Sequence, residues 1–168
     1  DSSEPIIFNI NINNINASPS FTAGENISVF EDSGENIQEL WATDMNDGDS
    51  DTTQTLSFSL LSSDISLFSI QPRIDEYGNL IFSTAENKNG LAEITVFLED
   101  DGDSTPPHSN ISEEKIFNIE VIPVNDEPMW ANGGDIEVEE DSGEHLVELW
   151  ATEIDDGDPE SVQTLNFN

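Results

Sequence analysis

GLAEITVFLEDDG, residues 90–102, is the stretch on which the reading of this chain turns. From Leu91 to Glu99 apolar and polar residues alternate, so Ala92, Ile94, Val96 and Leu98 share one face while Glu93 and Thr95 share the other. A period of two over that length specifies a strand with one apolar face, and the EDDGD that follows it specifies an acidic turn. The same pattern recurs outward in both directions, at Ile27 to Glu31, Ile37 to Ala42, Gln54 to Leu61, Leu67 to Ile70, Asn79 to Ser83 and Glu113 to Ile122, with Phe117, Ile119 and Val121 again on one side. Gly, Asn, Asp and Pro separate the runs, and none has a helical period. Seven short strands, each apolar on one side, in roughly 110 residues predict an all-β fold, an antiparallel two-sheet sandwich with an immunoglobulin-like arrangement.

Composition narrows the partners. The chain has 168 residues, of which 35% are hydrophobic, enough for a compact core; its 37 acidic residues against 3 basic ones give a formal net charge of −34. Such a surface repels nucleic acid and anionic membrane, and it draws cations. A folded state this acidic repels itself unless its carboxylates are spread apart or bridged by divalent metal. With no cysteine, neither a disulfide nor a zinc-thiolate site can brace the fold. No apolar run approaches the roughly 20 residues that span a bilayer, and no secretory signal opens the chain. The start at Asp1 and the stop at Asn168, inside a strand-like run, read as a piece of something longer.

The chain also repeats. Shifted by 109 residues, Ile27 to Ser59 falls over Ile136 to Asn168 with 19 identities in 33 positions, including EDSGE, ELWAT, DGD and QTL. The same shift sets IFNINI (Ile7 to Ile12) over IFNIEV (Ile116 to Val121), and INASPSF (Ile15 to Phe21) over VNDEPMW (Val124 to Trp130). The expected organisation is therefore the last strand of one unit at 1–14, a complete unit at 15–124 and the opening part of a third at 125–168.

VNDEP, Val124 to Pro128, sits at the junction of two units. Asn125, Asp126 and Glu127 offer only oxygen ligands, and Pro128 fixes φ and removes a donor, so the joint is expected to be short, stiff and suited to calcium. Ca²⁺ takes roughly 6 to 8 oxygens, more than one joint supplies, so flanking units must provide the rest. Acids gather at the neighbouring turns: EDSGE at 31–35, DMNDGDSD at 44–51 and LEDDGD at 98–103. In ATDMNDGD, alternation aims Asp44 and Asn46 the same way, two oxygens for one ion. This is not an EF-hand, because Gly48 falls at the fifth position from Asp44 and the twelfth is Thr55, not Glu.

The V-x-E at Val29 to Glu31, ATDxN at Ala42 to Asn46, the strand ending LEDDG at Leu98 to Gly102, and VNDEP together resemble tandem cadherin repeats, in the bacterial cadherin-like form with VNDxP junctions found in large surface and RTX-type adhesins. The resemblance covers essentially the whole chain. It implies calcium between successive units, held at the joint at 125 by Glu31, Asn125 and Asp126 together with Glu153 and Asp155 of ATEID, with Glu86 as a further candidate. The family's LDRE element has no counterpart here, where AENKNG stands. At the first joint the aligned residues are Asn16, Ala17 and Ser18, so the linker carboxylates are lost although Asp44, Asn46 and Asp100 remain; weaker binding is expected there. The resemblance further implies an extracellular or cell-surface bacterial protein that acts in adhesion or as a calcium-rigidified stalk.

The alternative is a carbohydrate-binding module of a secreted polysaccharide-degrading enzyme, with cell-surface polysaccharide as partner and Trp41 stacking on sugar. Trp41 and Trp150 precede the inward-looking Ala42 and Ala151, and alternation places them on the opposite face, exposed or against a neighbouring unit. Trp130, opposite Phe21 in the repeat, is expected to pack beneath the joint. No catalytic constellation is expected: His108 and His145 lack a repeated serine or cysteine partner, and the paired acids all fall in repeated turns. Pairing with other copies of the chain is an expected possibility, because the unit at 125–168 lacks its later strands.

Overall fold

The computed structural model describes residues 4–159 and 162–167. In chain order the strands are β1 (Ser20–Ala23), β2 (Ile27–Phe30), β3 (Glu35–Gln38), β4 (Ala42–Asn46), β5 (Leu56–Ser62), β6 (Phe68–Ile74), β7 (Leu80–Thr84), β8 (Gly90–Asp100), β9 (Lys115–Ile122), β10 (Met129–Asn132) and β11 (Ala151–Asp155), with a 3-10 turn at Ile65–Leu67. One sheet has the order β2-β9-β8-β5 and the other β3-β7-β6, while β1 pairs with β4 and β10 with β11. Every pairing is antiparallel except β2 on β9, where Ile27 faces Ile119. The protein is an all-β sandwich.

The core forms where the alternation predicts it. Ala92, Ile94, Val96 and Leu98 of β8 are fully shielded, and they meet Phe117, Ile119 and Val121 of β9 and Leu80 and Phe82 of the opposing β7. Rings pack edge to face in this core, Phe68 on Phe82 of the neighbouring strand at 5.8 Å between centroids and Phe21 of β1 on Phe58 of β5 at 5.2 Å.

Three local features depart from the sequence reading. The expected strand Ile37 to Ala42 is two strands, β3 and β4, because Leu40 takes a positive φ of 51° and turns the chain between them. That kink also corrects the placement of Trp41. With alternation broken, Trp41 and Ala42 both turn inward; Trp41 is 5% exposed, lies on Phe117 at 4.2 Å and donates its indole N–H to the Glu25 carbonyl. Asp44 and Asn46 consequently lie in β4 and not in a turn after it. Finally, β1 was not foreseen: SFTA is too short and too polar to register as a strand, and it is held by pairing with β4 across a bulge.

Residues 4–14 form no strand, and Ile6, Ile7, Phe8, Ile10 and Ile12 stand exposed. The expected strand at 1–14 aligns with β9, whose neighbours are β8 and β2; among the described residues no strand lies beside residues 4–14. Residues 1–3 lie outside the described ones.

The 109-residue shift recurs in part of the structure, although the residues it aligns with β2 and β3, 136–139 and 144–147, form no strand. It carries β1 onto β10 and β4 onto β11, with the bulge at the same place. Trp150 donates to the Gly134 carbonyl as Trp41 does to Glu25, and Trp130 meets Phe167 edge to face at 5.4 Å as Phe21 meets Phe58. Positive φ recurs at Leu40 and Leu149, and at Asp44 and Glu153. Trp130 also lies against Trp150, at 5.8 Å.

Candidate metal centres at the two joints

Glu31 directly follows β2, and its N–H extends the ladder to the Ile122 carbonyl. The side chain is 2% exposed, and its Oε1 accepts the Val124 N–H at 2.6 Å, which ties the carboxylate to the linker. Its Oε2 is buried with no partner, and so is Oδ2 of Asp126 two residues further along the linker. No Lys or Arg forms an ion pair among the described residues; the single ionic contact is His108 Nε2 to Asp103 Oδ2 at 3.7 Å. A carboxylate kept from water and left without a cation is costly, so the partnerless oxygens mark a place where positive charge belongs.

Around Asp126 opens a concavity of about 470 Å³, lined by Asp32, Ser69, Thr84, Glu86 and Asn87. Thr84 Oγ1 is a third buried oxygen without a partner. Asp32 is held by accepting the Asn87 N–H at 3.0 Å, while Glu86 is exposed at the rim. The sequence reading placed Glu31, Glu86 and Asp126 here, and the structure brings them to one end of the sandwich; it did not foresee Asp32 or Thr84. Thr84 stands inside the apolar run LIFST, and only its position at the last residue of β7, two before Glu86, could have singled it out.

The remaining expected ligands sit across the linker. Asn125 is exposed, and its side-chain carbonyl accepts from Gln163 Nε2. Asp155 accepts the Gly157 N–H at 2.8 Å, and Glu153 is exposed on β11. Gly157 lies so close to the linker that a Cβ there would stand 2.3 Å from the Glu127 carbonyl oxygen. Among the described residues, no three His, Cys, Asp or Glu side chains are gathered closely enough to form a metal cage on their own.

The opposite end of the sandwich is built around Asn16. Its N–H donates to His108 Nδ1 at 2.9 Å, and its amide donates to Asp100 Oδ1 at 3.0 Å and to the Ser109 carbonyl at 2.8 Å; its side-chain carbonyl accepts from Gln54 Nε2. Asp100 is 5% exposed, accepts a second bond from the Gly102 N–H, and keeps Oδ2 buried without a partner. Asp44 and Asn46, by contrast, do not converge on it. Asp44 accepts from the Thr22 hydroxyl and Asn46 from the Gly48 N–H, and both are exposed. Asp44 has a positive φ and lies at the bulge of the β1–β4 pairing. Asp103 is held below the usual carboxylate range by the Thr105 N–H and hydroxyl, with His108 adding a smaller pull.

The importance of Asn16 was legible only through its alignment with Asn125. Gln54 and Asp47 complete a motif that recurs 109 residues on: Asp47 and Asp156 each accept a glutamine N–H, from Gln54 and Gln163. No known protein-family model matches the chain, and no curated protein matches it. Among the described residues no helix is long and apolar enough to cross a membrane.

Proposed function

We propose that the chain is a calcium-binding, cadherin-like segment of an extracellular bacterial protein, in which the ion stiffens the joint between successive sandwich units so that the string acts in adhesion or as a stalk. The observation that carries this reading is the pair of buried, partnerless oxygens at the joint, Glu31 Oε2 and Asp126 Oδ2, in a chain with 37 acidic residues and 3 basic ones. The donor set fits the ion: carboxylates, a hydroxyl and amide carbonyls, all hard oxygen ligands, with no sulfur available. Glu31, Asp126 and Glu86 would hold it from one side, and Asn125, Glu153 and Asp155 from the other. Without it, like charges at the joint push the flanking units apart; with it, the assembled arrangement is favoured by mass action. Extracellular modules of this kind bind Ca²⁺ at about 10⁻⁴ to 10⁻³ M, which suits calcium-rich surroundings.

Asp100 supports a second, independent site at the Asn16 end, weaker because Asn16, Ala17 and Ser18 bring no linker carboxylate. The carbohydrate-binding alternative has lost its named residue, since Trp41 lies in the core. Calcium titration of the whole chain by calorimetry, repeated on Asp126→Asn, tests the reading. Heat of binding in the parent that weakens at least about tenfold in the variant is the expected result; a chain that takes up no calcium at millimolar concentrations, or an unchanged isotherm in Asp126→Asn, refutes it.

A further inference from the structure

An antiparallel edge exposes a row of unpaired backbone groups, and folded proteins protect such rows with charge, proline, bulges or brevity. Three of the sandwich's edges follow that rule. β6 carries Pro72, Arg73 and two breaks in register; β2 is four residues long and flanked by Glu25 and Glu31; β3 is four residues long and begins with Glu35. The edge formed by β5 does not. Its seven residues, LSFSLLS, pair with β8 in unbroken register from Leu56 opposite Asp100 to Ser62 opposite Ile94, and among the described residues nothing pairs with its other side. The twelve residues Thr52 to Ser63 hold no charge, and beyond Gly24 no uncharged run of the sequence is longer.

The seam beside this edge is open and apolar. A groove of about 240 Å³ runs between β5 and β6, lined by Leu60, Leu61, Ile65, Pro72 and Ile94, and Leu61 is 63% exposed. A second, of about 320 Å³, continues it past Leu56 and Phe58 to Ile74, where Asp75 and Glu76 close it with charge.

We propose that β5 is a self-association edge, on which a second copy of the chain adds its own β5 antiparallel about a two-fold axis at Ser59. The occupant follows from charge and symmetry. Two molecules of net charge −34 approach most easily where neither carries acid, and among the described residues β5 is the one long, regular edge of that kind. Centred on Ser59, the pairing sets Phe58 beside Leu60 of the partner, Leu56 beside Ser62 and Ser57 beside Leu61. Each pair shares a face, so the inward apolar row runs on from one sandwich into the next. A seven-residue ladder is a small interface, in the weak class below about 1,200 Å². Repeated along a string of units, such contacts gain by multivalency what each lacks alone.

The absence of cysteine makes the test direct. Sedimentation of the whole chain in EDTA, from about 0.05 to 1 mM, should reveal a monomer–dimer equilibrium. Raising NaCl should tighten it, because screening weakens the repulsion between acidic partners. Ser59→Asp, exposed and outside the core, should abolish dimers with the unfolding midpoint unchanged. Ser59→Cys should form a disulfide dimer under mild oxidation, since residues facing across an antiparallel pair lie about 4.5 to 5.5 Å apart. Ser57→Cys should not, because in this register the two sulfurs lie roughly 13 Å apart along the strand. A strictly monomeric parent overturns the proposal. So does a dimer that survives Ser59→Asp, or one whose Ser59→Cys form cross-links only when Ile10→Cys is added, which would make the exposed segment at Ile6 to Ile12 the occupant. Because these readings are taken without calcium, they stand or fall apart from the metal reading.

Discussion

Glu31 concentrates the energetics of the joint in one side chain. Its Oε1 is satisfied by the Val124 N–H, and its Oε2 is buried without a partner. Glu31→Gln keeps an oxygen for Val124 and removes the charge. In EDTA the variant is expected to be as stable as the parent or up to about 1 kcal/mol more stable, since an unpaired buried charge has gone. In calcium its affinity should fall at least about tenfold, roughly 1.4 kcal/mol. Denaturation in EDTA and calorimetric titration separate the two; a variant weaker than the parent in EDTA would show that the carboxylate is satisfied without metal. Two further positions test packing. Trp41→Ala should cost about 3 to 5 kcal/mol in thermal or chemical denaturation, the range for removing a large buried aromatic, whereas an exposed tryptophan would cost far less. Gly48 has a φ of +86°, and a Cβ there would stand 2.6 Å from the Ser18 carbonyl oxygen. Gly48→Ala should therefore cost about 1 to 3 kcal/mol by the same measurement, and pull the turn away from the linker.

At the scale of elements the instructive place is the break between β3 and β4. Leu40 holds a positive φ with its side chain 65% exposed, so it stores strain and contributes little packing. Leu40→Asn, which tolerates that conformation, is expected to raise stability by about 0.5 to 1 kcal/mol in chemical denaturation; a loss of that size would mean that the leucine packs where the structure leaves it open. The same kink marks the limit of what the sequence carries. Period-two alternation identified β8 and β9 and their inward residues, because a strand with one face on the core buries every second side chain, whereas β7 is buried at all five positions. It misled at Trp41, because the positive φ of Leu40 shifts the phase without any glycine to announce it. Asn16 escaped for another reason: its worth lies in contacts 84 to 93 residues away, to Asp100, His108 and Ser109, which no local pattern encodes. Asp126 was named from the joint itself, and Glu31 and Glu86 only from the resemblance to cadherin repeats; Thr84 and Asp32 needed the packed ends of the strands.

For the whole molecule the governing quantity is the net charge of −34, and two explanations of any calcium effect compete. One is general screening, by which any salt shortens the range of repulsion, to roughly 8 Å at physiological ionic strength. The other is occupation of the sites at Glu31 and Asp126 and at Asp100. They differ in magnitude and in shape. At 100 times its dissociation constant a ligand stabilises the state it binds by about 2.7 kcal/mol per site, and the gain grows with the logarithm of concentration. Calcium at about 10 mM should thus raise the unfolding midpoint well above that reached in NaCl of matched ionic strength. Small-angle scattering should report a longer, stiffer particle in calcium alone. Replacing Glu31 and Asp126 together by Gln and Asn should remove most of the calcium-specific part and leave the sodium part intact. If sodium at equal ionic strength reproduces the whole midpoint shift and the same scattering, the carboxylates act only through their summed field, and the joint is an acidic hinge that no ion locks.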